Sequence, residues 1–325
     1  MKTLAIGPRT GAVSWEWVGQ AIAVELSPDF HVVPFEHFAH VDAELVLIVK
    51  QRPPVDFVDA ALRRGARVFF APIDVYCDPQ EIAANAGMLG ACEAVFLHSE
   101  ALLPALSPFC RKIIHVEHHG RFVLPQPARY RSEGFLLWLG AFEHLPYLLH
   151  WLDGHKPPIE VRLLTNLTGR SSRVAGHFTA HELGISLQVS PNTVNGYPAQ
   201  EWSEAAQAEM MQACRAAIDI KGDSFNQRTK PPTKAQQFVA SGVPFACNPG
   251  HPAAAYFGAR GFAVADAADF DRLLSSSYWE QTQPYAAALR ENISLAAVSE
   301  VYRQVLRQGG VSAAGIGHCD LRSAT

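Results

Sequence analysis

No apolar run in this sequence approaches the ~18 residues needed to cross a bilayer, so it offers no candidate membrane-spanning helix. Cysteine is scarce. The six are Cys77, Cys92, Cys110, Cys214, Cys247 and Cys319. None forms a C-x-x-C pair and no histidine stands at zinc-finger spacing, which removes the common structural zinc signatures. Most lie in apolar runs and read as buried free thiols, which fits a reducing cytoplasm. Charge is also modest. Charged residues make up 18%, with 27 basic against 31 acidic and a net charge of −4. That balance gives no overall support for a nucleic-acid partner, where a basic surface is expected. The opening "MKTLAIGPRTG" has too short an apolar core for a signal peptide and is expected to form a first strand.

What is present is a globular composition, 48% hydrophobic over 325 residues. That length suggests two domains of ~100–200 residues each. Strand and helix patterns alternate through the first part. "TLAIG", "HVVPFE", "AELVLIVK", "ARVFFAPID", "EAVFLHS" and "KIIHVEHHG" read as strands. Helical stretches such as "PVDFVDAALRRG" lie between them, with Pro in its first turn and Gly after its end. Repeated β-α-β order implies a parallel sheet with right-handed crossovers. The Pro- and Arg-rich "RFVLPQPARYRSEG" reads as a linker. A second β-α series follows, including "FLLWLG", "IEVRLLTN" and "AAIDIKGD", and the chain ends in one long helix, "PYAAALRENISLAAVSEVYRQVLRQ". Residues 310–325 are small and polar and are expected to be flexible. In such α/β arrangements ligands bind at loops that follow strands.

The segment "TKPPTKAQQFVASGVPFACNP", residues 229–249, carries the most information. Ala235, Phe238, Val239 and Gly242 recur at helical spacing, with the Pro231–Pro232 pair at the helix start. That start already carries partial positive charge, and Arg228, Lys230 and Lys234 add to it. A bound phosphate would offset the accumulated charge. The alternative is a solvated basic turn, or pairing of the lysines with Asp219 or Asp223.

The stretch K-x-x-x-F-V-A-S-G-V-P-F-A, in the second of two Rossmann-like halves, resembles the donor-binding segment of GT-B glycosyltransferases, and glycosyltransferase family 4 is closest in style. "FLLWLG", "EAVFLHSE" and "IIHVEHHG" resemble that family's strands on either side of its linker, and the resemblance runs from about residue 3 to 309. It implies an α/β fold of two Rossmann-like domains whose parallel sheets face each other across a cleft, with a C-terminal helix crossing back to the first domain. The expected boundaries are 1–125 for the acceptor-side domain, 134–285 for the nucleotide-sugar-binding domain, 286–309 for the terminal helix and 310–325 for the tail. The resemblance places Lys234 on the donor diphosphate, with Arg228 or Lys230 beside it. It places the loop Ser224, Phe225 and Asn226 on the sugar, matched by position. The Glu-x7-Glu pair common in the family is absent. Thr229 and Gln237 occupy its positions, and Gln237 keeps the ability to bond a ribose hydroxyl. The basic residue usual after the "LG" of "FLLWLG" is missing as well; Glu143 and His144 follow instead.

Other candidates follow strands. Gly7, Arg9, Thr10, Gly11 and Ser14 form a glycine-containing loop that fits a donor or acceptor, with Thr10 or Ser14 free to cap the next helix. Asp74 would accept or orient the acceptor proton, or else cap the segment after it. His119 sits at the domain edge as an acceptor-side or packing residue. Asn192 and Tyr197 fall where a base would sit, and "TNLTG" where a base or ribose would.

The implied activity is transfer of a sugar from a nucleotide-diphosphate-sugar to an acceptor hydroxyl, retaining and metal-independent, in the cytoplasm. No metal and no cofactor beyond the donor substrate are expected. The acceptor would be a glycan, a lipid or a small molecule, and peripheral association with a membrane is compatible with the sequence. The missing motif acids keep open a catalytically inactive GT-B-like subunit that binds a nucleotide or sugar or pairs with an active partner. A sugar-nucleotide epimerase of the same fold is a third reading.

Overall fold

A computed structural model describes residues 1–11, 14–39 and 41–308. The chain divides into two compact units. The first comprises Met1–Arg121, Ser224–Pro231 and the described residues from Glu291 onward; the second comprises Phe122–Asp223 and Pro232–Arg290. The expected tail, 310–325, lies outside the described residues.

The first unit is built on six parallel strands: β1 (Thr3–Gly7), β2 (His31–Pro34), β3 (Leu45–Val49), β4 (Arg67–Ala71), β5 (Ala94–Leu97) and β6 (Ile113–His115). Their order is β2-β1-β3-β4-β5-β6. β3, LVLIV, is buried along its whole length. A strand covered on both faces cannot alternate apolar and polar residues, which is why it reads as an unbroken apolar run. On one face Leu4, Leu45, Leu47, Phe69 and Phe96 pack with Val298, Tyr302, Val305 and Leu306 from the helix Leu295–Arg307. The other face holds Val46, Ile48, Val68, Phe70 and Val95, with Phe57, Ile82 and Leu89 from the covering helices.

The second unit has an eight-stranded sheet made of β7 (Leu136–Leu139), β8 (Val161–Thr165), β9 (Val189–Ser190), β10 (Thr193–Val194), β11 (Tyr197–Glu201), β12 (Ala216–Asp219), β13 (Phe245–Cys247) and β14 (Ala265–Asp266). The order is β14-β13-β12-β7-β8-β11-β10-β9, parallel except for the two antiparallel pairings of β10 with β11 and β9.

Local differences from the sequence reading have identifiable causes. The single long terminal helix is two helices, Ser276–Asn292 and Leu295–Arg307. Ser294 breaks the run by capping the second, its Oγ accepting from the Ala297 amide at 3.2 Å. "SPNTVNGYP" is not a loop but a hairpin, with Asn195 at φ +48° and Gly196 at φ +81° supplying the two left-handed positions of the turn. The helix Pro252–Ala259 carries no sequence pattern of its own beyond its starting proline; His251 caps it through Nδ1, which accepts from the Ala253 amide at 3.0 Å. Among the described residues no helix is long and apolar enough to cross a membrane.

Candidate functional site

β12 ends in Asp219, and the carboxyl ends of its neighbours β7 and β13 lie on either side. Asp219 is almost completely buried, yet it is surrounded by cations. Lys234 Nζ lies 2.7 Å from Oδ1 and Lys221 Nζ 3.3 Å from Oδ2. The imidazole of His251 completes the set, with Nε2 3.1 Å from Oδ2. Because His251 Nδ1 accepts from a backbone amide, its proton sits on Nε2 and is donated to Asp219. Burial lowers the His251 pKa against the pull of Asp219, which keeps the ring neutral. For Asp219 burial alone would push the carboxyl up; Lys221 and Lys234, then His251, outweigh it and hold the group well below the ordinary carboxylate range.

One carboxylate therefore faces two ammonium groups and a neutral imidazole, which leaves one unit of positive charge in excess. The two lysines are not equivalent. Lys221 is buried, with 7% of its side chain exposed, and its backbone is clamped by Asn248, which accepts from the Lys221 amide and donates to its carbonyl, both at 2.9 Å. Lys234 keeps 24% of its side chain exposed and also donates to the Leu139 carbonyl at 3.0 Å. Its ammonium lies over the ring of Trp138, 5.6 Å from the centroid. Gly140 makes room for this arrangement. A Cβ there would lie 2.8 Å from the Trp138 ring and 3.3 Å from Lys234 Nζ. The glycine of that "LG", Gly140, thus borders the ammonium of Lys234.

Lys234 stands in the first turn of the helix Thr233–Ala240, which has no side-chain cap and no acid in that turn. The helix start, the partly exposed Lys234 and the excess charge coincide at one strand edge. Such a place favours an anion.

Of the two readings of the basic turn, the structure contains the pairing with Asp219 and leaves one positive charge over. Of the three cations of that turn, Lys234 lies in this cluster. Arg228 and Lys230 belong to the first unit, in and just after the short helix Phe225–Thr229, whereas Lys234 belongs to the second. Ser224 caps that short helix, accepting from the Gln227 amide at 3.3 Å. Phe225 packs on the first unit's core. Asn226 Nδ2 donates to the carbonyls of Asp74 and Tyr76, both at 3.2 Å. Gln237 is 2% exposed; its Oε1 accepts from Gln207 Nε2 at 3.2 Å, and its own Nε2 is buried without a partner. Thr229 donates to the Phe225 carbonyl at 2.8 Å. Asn192 lines an open groove of about 590 Å³ with Glu160, Arg162, Thr168 and Glu201. In "TNLTG", Asn166 Oδ1 accepts from the Phe142 amide at 2.8 Å and Thr168 bonds Glu201.

In the first unit, Gly7 ends β1, and Arg9 is exposed, its amide donating to the Phe35 carbonyl at 2.8 Å. Gly11 is exposed beyond Thr10. Ser14 does not cap the following helix, because the backbone there is already helical; among the described residues its buried Oγ meets no hydrogen-bond partner. Asp74 is not a helix cap either. It follows β4 at φ +44° and takes Lys50 Nζ on Oδ1 at 2.8 Å, and Lys50 itself follows β3 at φ +62°. Two non-glycine residues in the left-handed region, ion-paired at adjacent strand ends, are costly and cluster at functional places. His119 is buried, its Nε2 3.0 Å from the Trp17 carbonyl. His118 beside it is buried as well, and burial pushes its pKa down to about 3.

Lys50, Lys221, Asn248 and His251 were missed by sequence reasoning. A usable signal existed for two of them: "KG" follows a β-strand run directly, and "NPGHP" follows the next strand with a histidine ahead of a helix-starting proline.

No protein-family model and no curated protein matches the chain. Solved structures do. Anabaena HepE in complex with UDP and glucose superposes with a TM-score of 0.61 at 11% identity, covering 94% of this chain and 99% of that one. Sucrose-phosphate synthase from Thermosynechococcus elongatus gives 0.59 at 10% identity, covering 94% and 100%. AviGT4, a glycosyltransferase involved in avilamycin A biosynthesis, gives 0.56 at 11% identity, covering 94% and 97%. Against the GtfA/B complex the score is 0.53 at 10% identity, and the match spans 81% of this chain but only 56% of that one. The chain has the GT-B fold of these glycosyltransferases.

Proposed function

We propose that the protein is a glycosyltransferase that takes a nucleotide-diphosphate-sugar and binds its diphosphate at the end of β12. The observation that carries this reading is the positive charge left over at Asp219, with Lys234 reaching solvent at an uncapped helix start. Lys234 meets the diphosphate oxygens directly. Lys221 holds Asp219 from beneath, so that Asp219 positions Lys234 without neutralising the whole cluster. As the bond between sugar and diphosphate breaks, negative charge grows on the leaving group. A fixed ammonium stabilises that growth more than it stabilises the intact donor, which accelerates the step. Two lysines and a helix start supply this charge without a metal, and the proposed mechanism is accordingly metal-independent and, as in the family it resembles, retaining. The first unit takes the acceptor hydroxyl, with Asp74 as the group that receives or orients its proton. The structural neighbour HepE holds UDP-glucose, which makes that compound the first donor to test.

Calorimetry with a panel of nucleoside diphosphates and their sugars tests the reading. Binding by the natural chain, lost in Lys234→Ala at unchanged fold, supports it. Equal binding by both rejects the role of Lys234. A second reading, a binding subunit without transfer activity, is favoured by one observation: the position of the family's second motif acid holds Gln237, an uncharged amide buried against Gln207. Binding without any donor hydrolysis would select that reading.

A further inference from the structure

On the helix Arg170–Glu182 the usual distribution of side chains is inverted. Its packed face carries only small residues, Ser172, Gly176 and Ala180, spaced by four. A Cβ on Gly176 would come within 2.6 Å of the Phe142 ring, and Ser172 Oγ accepts from the Glu143 amide at 3.2 Å. The helix is therefore seated closely through this face. Its two large apolar residues point the other way: Val174 is 66% exposed and Phe178 is 65% exposed. Spaced by four, they stand side by side on the outer surface. Arg170, His177 and His181 share their arc and are exposed, and Arg173 flanks it. Glu182, at the helix end, is its only acid.

We propose that this face docks the protein on an anionic lipid surface. Surface helices with apolar side chains set among arginines lie in the headgroup region, apolar residues entering the acyl boundary and cations meeting phosphates. The charge argument is local: the chain as a whole is acidic, at net charge −4, while this helix carries two arginines against one glutamate. The apolar pair argues for lipid over a protein partner. Two side chains on a convex helix supply a small part of the ~800 Å² per partner that a stable protein interface buries, whereas shallow insertion needs no more. The proposal is independent of the donor chemistry at Asp219.

The test is co-sedimentation of the full chain with phosphatidylcholine vesicles, with and without phosphatidylglycerol, beside size-exclusion chromatography without lipid. The expected result is binding that requires phosphatidylglycerol and weakens with salt. Phe178→Asp should abolish it. The double variant Arg170→Gln, Arg173→Gln should lower the partition coefficient about thirty-fold, as expected from ~1 kcal/mol for each basic residue at an anionic surface. Circular dichroism checks that both variants fold, which their exposure favours. Absence of binding by the natural chain overturns the proposal, as does binding equal in all three proteins. A dimer that Phe178→Asp dissolves, without vesicle binding, also overturns it and assigns the face to a second copy.

Discussion

Each sheet bears an ion pair at the carboxyl ends of its strands, and the two pairs are built in opposite ways. In the first unit Lys50 and Asp74 pair one to one, partly exposed, each on a backbone position that only glycine adopts without strain. In the second unit Asp219 is buried and outnumbered by Lys221 and Lys234 on an unstrained strand end. A balanced, exposed pair contributes little to stability and offers little net field to a ligand. An unbalanced, buried one costs desolvation and holds a charge ready for an anion. This difference is why we propose phosphate binding for the second unit and positioning of a neutral hydroxyl for the first.

The largest effect is expected from Asp219→Ala. It leaves Lys221 buried without its counter-charge, which costs about 3–5 kcal/mol. For a unit of this size the unfolding temperature should fall by roughly 10 °C in calorimetry. A negligible change would mean that the carboxylate does not hold the cluster, and the contrast between the units would lose its basis.

Acid should separate the units next. Burial pushes His118 down to about 3 and His98 well below the ordinary histidine value. A folded imidazole that resists protonation contributes its stability fully above the ordinary value of ~6.5. That contribution is lost as pH falls toward 3, on the order of 4 kcal/mol for His118 alone. Asp219 behaves differently. Its folded pKa is depressed, so its contribution is present above the ordinary carboxylate value of ~3.9 and disappears only below it. His251, also lowered, adds one imidazole to the second unit against three in the first, where burial lowers His119 as well. Hydrogen exchange at pH 7 and pH 4.5, corrected for intrinsic rates, should show β3 and β5 losing protection before β7 and β12. The reverse order would contradict the comparison.

Lys234→Ala sharpens it at the level of function. Asp219 keeps Lys221 and His251, so thermal stability should change little, while transfer from a nucleotide-sugar should fall ~100-fold or more. Steady-state kinetics with the donor found by calorimetry checks this. The smallest effect concerns strain. Lys50→Ala removes the ion pair and keeps the left-handed backbone, whereas Lys50→Gly removes both the pair and the strain. The glycine variant should be the more stable of the two by ~1 kcal/mol in urea denaturation. Equal stabilities would show that the turn after β3 is not strained.

The fold was largely legible in advance because its signals are local. "LVLIV" and "FLLWL" are buried on both faces and say so by lacking alternation, and "PVDFVDAALRRG" carries its own start and stop. Where local signals failed, a capping residue had intervened, as at Ser294 and His251. At the candidate site, Lys234 stood out because it repeats a helix-start pattern within one stretch of chain.

Of its partners only Asp219 was within reach of the sequence, as one of two acids that could pair with the basic turn; Lys221 and His251 were not. Asp219, Lys221 and His251 lie on two further segments and meet Lys234 only because β12 is placed between β7 and β13. The sequence alone determined the strand and helix alternation, the two-sheet composition and the cationic turn, since each depends on neighbours within a few residues. Only the tertiary structure decided that Asp219 is buried with two lysines on its carboxylate, that His251 is neutral, and that Ser224–Pro231 packs with the first unit. Desolvation and charge balance depend on which distant segments share a strand edge, and no local pattern encodes that.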